Sequence, residues 1–314
     1  MVRGDNLCLI TQYQGGEIKW QGTQIDKVPN RTFLSVPAIF TVLHSGTRLD
    51  LLELIIGPIT ECGSPHEKLN LRKALELDRD FGADAIAHRA ARECSKQAGN
   101  GTFVAEVLQT RVPMDVNRRR GEIMTPVNEP LDIQSRSMLE TASGITKASI
   151  AEAVSFLRRG GACVVDVHTM WPRDYSEEHK YDSPDEVARR IEAITRTDGE
   201  KRITSIAAGQ EGITTWTADP DLVQRLSTAL SAEDIEHGVN TVFDPEFLKG
   251  SFAMRLCGFA PGVAIDIDKE LLLPNGVEDY FKNLFKTQPN PAGVERVAKA
   301  LTNTVLRRWG DLYS

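Results

Sequence analysis

An unbroken apolar run from Ala162 to Val165 gives way to Asp166, Val167, His168 and Thr169. Such a run, entered from Gly160 and Gly161, reads as a strand buried on both faces, of the kind found inside parallel sheets. Alternation along a strand puts Asp166 and His168 on one face, with Val165 and Val167 on the other. In open α/β sheets ligands collect beyond the carboxyl ends of the strands, so a polar tip here is where chemistry is expected. The stretch from Phe33 to Leu43 has the same form and ends in His44, Ser45 and Gly46. Two strand tips that each deliver a histidine predict one site built from both.

The rest of the chain alternates between strand and helix patterns. Strands are expected at Phe103–Leu108, Arg202–Ala208, Val239–Phe243 and Val263–Ile267, with a hairpin or edge strands around Leu7–Ile10 and Glu17–Trp20. Helical spacing covers Leu71–Gln97, Ile133–Arg159 (with a break near Gly144), Asp219–Leu230 and Pro291–Trp309. Ser183 and Pro184 form a start signal for a further helix to about Ile194. Leu51–Ile59 fits a short helix or a strand equally well, and Trp171–Pro184 reads as a loop bordering the site. This order predicts one α/β domain over residues 1–314, its mixed, mostly parallel sheet flanked by helices, with a polar N-terminal extension over about residues 1–32.

Composition narrows the function classes. A formal net charge of -7 argues against a nucleic-acid surface, and the short run Arg118 to Arg120 does not reverse it. Five scattered cysteines without a CxxC pair suit buried thiols in a reducing compartment better than a disulfide framework. No apolar run approaches membrane-spanning length and the N-terminus lacks a signal-peptide core, so a cytoplasmic protein with no membrane partner is expected.

Neutral imidazole suits zinc, and a catalytic zinc normally takes three protein ligands with a position left open. His44 and His168 are the candidates at strand tips; either could equally be a hydrogen-bonded structural histidine. Neither the HxxE nor the HExxH spacing occurs, so a third ligand must come from elsewhere, with the acidic stretch Glu76–Asp80 available. On its own that stretch reads as a solvated helical face. Asp166 could orient a ligand histidine from behind, or form a buried salt bridge. Arg111, Asn117 and Arg118, near Asp115, could capture a carboxylate through planar, bidentate contacts, or could be a basic surface turn. Asp266 and Asp268 share one strand face, where a carboxylate could serve as general base; solvent-facing acids on an edge strand are the plainer reading.

Taken in order, these pieces resemble the N-formylglutamate amidohydrolase family, zinc hydrolases with a fold akin to the zinc carboxypeptidases. The family's Pro-His-Ser-Gly is similar to Leu43 to Gly46, and its Asp-x-Asp-aromatic segment to Asp78 to Phe81, followed by Asp84. Its Arg-x-x-x-Asp-Leu-Asn-Arg resembles Arg111 to Arg118, and its Asp-x-His-Ser resembles Asp166 to Thr169. A later asparagine and a Phe-Lys-Gly-Gly look like Asn240 and Phe247 to Gly250, and the Gln-x-Glu-x strand is met by Ala264 to Ile267. The resemblance implies a three-layer, phosphorylase/hydrolase-like architecture. It also implies a zinc ion on His44, Asp80 and His168, and a substrate carboxylate held by Arg111, Asn117 and Arg118. Asp266 would stand where the family has its glutamate base, one methylene shorter, with Asp268 as the fallback. The activity implied is hydrolysis of the C–N amide or formamide bond of a small N-acylated amino acid or related carboxylate. The alternatives are a catalytically weakened small-acid binding protein on the same scaffold, or a zinc esterase or peptidase.

Overall fold

The computed structural model describes residues 7–29, 35–45, 73, 77, 79–108, 117, 133–171, 189, 192, 194–195, 203–207, 218–241, 251–283 and 286–313. Eight strands form one sheet: β1 (Cys8–Gln14), β2 (Glu17–Gly22), β3 (Ala38–Val42), β4 (Thr102–Val107), β5 (Cys163–Met170), β6 (Thr204–Ala207), β7 (His237–Val239) and β8 (Gly262–Asp268). Their order across the sheet is β2-β1-β4-β3-β5-β8-β6-β7. The four central strands, β4, β3, β5 and β8, run parallel. β1 joins β4 antiparallel on one side, and β6 joins β8 antiparallel on the other. The sheet is therefore mixed with a parallel centre, as the strand–helix alternation predicts.

Strand alternation divides the core into two layers. On one face Phe40, Val42, Val104, Val165, Val167, Ile265 and Ile267 pack beneath α1 (Ala83–Ala98), α3 (Pro220–Ala232) and α6 (Pro291–Tyr313). On the other, Ile39, Phe103, Ala105 and Val164 pack beneath α2 (Ile133–Arg158) and α4 (Phe252–Phe259). A short helix, α5 (Gly276–Lys282), adds Tyr280 and Phe281 to the first layer. Val165 and Val167 thus lie on the face opposite Asp166 and His168, as alternation requires.

Several local boundaries have clear causes. Asp219 caps α3, its carboxylate accepting from the amides of Asp221 and Leu222, with Pro220 at the first helical position. α2 runs through Gly144 without the expected break. One helical glycine costs only about 1 kcal/mol, and Ile150, Val154 and Leu157 anchor the helix to the sheet. Pro37 precedes β3 instead of interrupting it, and its carbonyl accepts from Cys163 N, so a proline next to a central strand removes no ladder donor. The hairpin or edge strands expected within the polar N-terminal segment are β1 and β2, with Cys8 and Ile10 buried under the second layer. Gly293 lets α6 touch the turn after β8, because a Cβ there would fall 1.9 Å from Leu271 O.

The tips of β3, β5 and β8 point the same way, and they are neighbours in the sheet. Whatever follows each strand gathers at one edge.

Candidate active site at the tips of β3, β5 and β8

His44 follows β3, and His168 lies near the end of β5; both are buried, and their ring centroids are 5.9 Å apart. Asp80, also buried, reaches the same place from the segment ahead of α1. Its amide donates to His44 O at 3.0 Å, and its Oδ2 accepts from His168 Nδ1 at 2.8 Å. Gly82, with φ of +81°, turns the chain from Asp80 into α1; a side chain there would be strained and would press on Leu272. The three residues that the resemblance implies as metal ligands therefore converge.

Behind His168 stands Asp166, two residues earlier on the same strand face and wholly buried. Its Oδ2 is 2.6 Å from His168 Nε2, a contact of opposite charges off the line of a hydrogen bond. Its Oδ1 accepts from the hydroxyl of Thr41, the residue paired with it across β3 and β5. The imidazole is thus sandwiched between two carboxylates. Burial alone would lower the pKa of His168, but the charges of Asp166 and Asp80 outweigh it and hold the ring protonated well above its usual range.

Asp266 pairs in register with His168, and Ser205 lies across from it on β6. Neighbouring strands are about 4.8 Å apart, so the Asp266 carboxylate springs from the backbone position closest to His168 on β8. Asp268 occupies the same face, but its side chain caps the following turn by accepting from Glu270 N at 2.9 Å. β8 is an interior strand and both acids are buried, which sets aside solvent-facing acids on an edge strand.

Asn117 is half-buried, and its side-chain oxygen accepts from Ala253 N while its backbone oxygen accepts from Phe252 N. With Ser251, it caps the N-terminus of α4. Arg111, Asp115 and Arg118 lie outside the described residues, as do Gly46, Glu76 and Asp78. Asn240 starts the turn after β7, the far edge strand of the sheet, and its amide donates to Ile206 O.

Two contributors went unpredicted. Thr41 sits among apolar neighbours, and only its register opposite Asp166 reveals a role. Lys269 follows Asp268 and enters the core instead of reaching solvent. Trp171, expected on a bordering loop, is itself buried, and its indole N–H donates to Leu77 O.

The donor set is chemically suited to zinc: two imidazoles, one carboxylate, and a second carboxylate behind a ring. A ligand histidine commonly offers one nitrogen to the metal and turns the other to a carboxylate. Here Asp166 lies on the Nε2 side of the ring and Asp80 on the Nδ1 side, with the His44 ring beside them. Among the described residues no group of three or more His, Cys, Asp or Glu is arranged to enclose a metal ion. Asp80 Oδ2 accepts a hydrogen bond from His168 Nδ1, and a metal ion held by these two groups would take the place of that proton. The residues fit the ion once it is lost.

No family model matches the sequence, and no curated protein matches it. Solved structures do. The gene product Atu2144 from Agrobacterium tumefaciens is similar over 88% of this chain and 90% of that one, with 13% identity and a TM-score of 0.54. A metallo-carboxypeptidase from Burkholderia cenocepacia aligns over 97% of this chain and 61% of that one, with 9% identity and a TM-score of 0.36. The first likeness speaks for the α/β architecture alone, and the second is too loose to carry an argument. Among the described residues no helix is long and apolar enough to cross a membrane.

Proposed function

We propose that this chain is a zinc-dependent amidohydrolase acting on the C–N amide or formamide bond of a small N-acylated amino acid or related carboxylate. The observation that carries the reading is the buried imidazole of His168 between Asp80 and Asp166, with the His44 ring beside it. Two buried carboxylates around one ring need compensating positive charge, and a divalent cation supplies it as a proton does.

His44, Asp80 and His168 would hold the ion, with Asp166 and Thr41 fixing the orientation of the His168 ring. Zinc bound there supplies Lewis acidity toward a carbonyl oxygen and toward water. Asp266, across from His168, takes the proton of the attacking water on its carboxylate and returns it to the leaving nitrogen. Its strand position directly opposite His168 supports this role. Arg111 and Arg118 hold the substrate carboxylate, and Asn117 contributes its amide N–H while its oxygen anchors α4.

Metal analysis of protein purified without added metal should find stoichiometric zinc that His44→Ala and His168→Ala both lose, together with turnover of N-acyl amino acids. If both variants retain metal and activity, the reading fails. Asp266→Asn should lower kcat by about 10²- to 10⁴-fold with KM little changed. Zinc bound without turnover of any amide, ester or dipeptide in a substrate panel would instead identify a binding protein on this scaffold.

A further inference from the structure

Lysine is almost never fully buried without compensation, yet Lys269 is only 1% exposed. Its compensation is specific. Nζ donates to Arg79 O at 2.6 Å and to Leu77 O at 3.4 Å. It also lies 4.3 Å from the centre of the Trp171 ring, within cation–π range. Trp171 reaches the same segment, donating from Nε1 to Leu77 O at 2.6 Å. The ring is itself fixed, stacked on Phe281 and edge-on to Tyr280.

The carbonyls that Lys269 grips belong to the residues just ahead of Asp80. Asp80 lies on no strand and in no helix, so no ladder fixes its backbone. Its own carbonyl accepts from Ala83 N as the chain turns into α1, and two further sets of contacts hold it. On the β3 side, Asp80 N donates to His44 O and Arg79 Nε donates to Ser45 O at 2.9 Å. On the β8 side, the ties are the ammonium of Lys269 and the neighbouring indole. An aspartate side chain is short, so where its carboxylate can reach is decided by where its backbone is held.

We infer that Lys269 is a positioning residue of the site, its buried ammonium holding the carbonyls of Leu77 and Arg79 so that the Asp80 carboxylate meets His168. Its consequence for metal affinity rests on the function proposed above; the placement of Asp80 does not. Lys269 acts through Asp80.

The test uses the full chain and Lys269→Met, which keeps the aliphatic stem and removes the ammonium. Zinc affinity, measured by competition with a chromophoric chelator, should weaken about 10- to 100-fold, the usual cost of losing a group that supports a metal ligand. In metal-free protein the Asp80 amide should exchange with solvent faster, while amides in the middle of β5 and β8 keep their protection. Leu226→Ala, a core truncation in α3, separates positioning from general loss of stability: it should lower the melting temperature yet leave zinc affinity alone. Wild-type affinity and unchanged Asp80 exchange in Lys269→Met would overturn the inference. Equal weakening of zinc binding by Leu226→Ala would overturn it too. Should Lys269→Met not fold, Lys269→Gln keeps amide donors without the charge; intermediate zinc affinity supports the assignment and wild-type affinity refutes it. If the wild-type chain takes up no zinc, the proposed function fails, and Asp80 exchange alone still decides the role of Lys269.

Discussion

Two histidines in this fold meet carboxylates, and they differ in what surrounds the pair. His168 lies between Asp80 and Asp166 with its side chain 5% exposed, and neither acid exceeds 2%. His88, on α1, has a 25% exposed side chain; its Nε2 lies 3.2 Å from Glu106 on β4 and its Nδ1 lies 2.9 Å from the Tyr13 hydroxyl on β1. A carboxylate only accepts, so the Nε2 of His88 carries the proton and, in the neutral ring, Tyr13 donates to Nδ1. In the marginal cluster the ring is partly exposed and faces a single carboxylate, and a neutral tyrosine completes it. The central cluster pairs one ring with two anions out of reach of water, so it requires a proton or a cation. Similar side chains make a tie between β1, β4 and α1 in one place and a receptor for positive charge in the other.

Removing the ring in each place should break the symmetry most clearly. His168→Ala strands Asp80 and Asp166 in the core, and leaving buried charge uncompensated costs about 3–5 kcal/mol. Urea denaturation of the metal-free variant should show that loss, partly recovered at low pH where the acids protonate. A cost for His168→Ala no larger than for His88→Ala would mean that burial does not separate the clusters. Asp166→Asn is the next smaller change, keeping an oxygen for the Thr41 hydroxyl while removing the charge behind Nε2. Zinc affinity should fall about 10- to 100-fold, as read by chelator competition. Unchanged affinity would make Asp166 a structural partner only.

What could be read from the chain follows how local each signal is. The tips of β3 and β5 were legible because an apolar run and a period of two are properties of consecutive residues. Asp80 was not legible in that way, since its surroundings read as a solvated helical face; only the order of motifs pointed to it. Its placement depends on Lys269, which bonds Arg79 from 190 residues away along the chain, and a lysine after an acidic strand end carries no local sign of burial. Asn117 likewise offers its oxygen to a helix 136 residues later, a contact that the local spacing of Arg111, Asn117 and Arg118 does not announce. β1 was legible only as a short apolar patch in a polar segment, because an antiparallel strand needs only one apolar face, and Cys8 and Ile10 provide it.

The His88 cluster sets the lower end of the scale. His88→Ala removes two part-buried hydrogen bonds, to Glu106 and from Tyr13, so thermal unfolding should report a loss of about 1 kcal/mol. A larger loss would mean that this cluster holds α1 to the sheet far more strongly than its exposure implies.

The smallest effect concerns Asp84, one turn before His88 in the first turn of α1. A negative charge at a helix N-terminus is usually favourable. Here burial first, and then the nearby charge of Glu106, raise its pKa above the usual aspartate value, against opposing contributions from Arg79, the Ala85 amide and His88. The folded state therefore binds the Asp84 proton more tightly than the unfolded chain does. The resulting stabilisation is complete below the unfolded aspartate pKa and disappears as pH rises through the folded one. At neutral pH the ionised group is a net burden, so Asp84→Asn should raise stability there. Melting curves from about pH 3 to about pH 8 should show that advantage appear only above the ordinary aspartate range. A variant that is less stable than the wild type at neutral pH would mean that the helix terminus outweighs Glu106, and that this cluster tolerates its charges through α1 instead of through exposure to water.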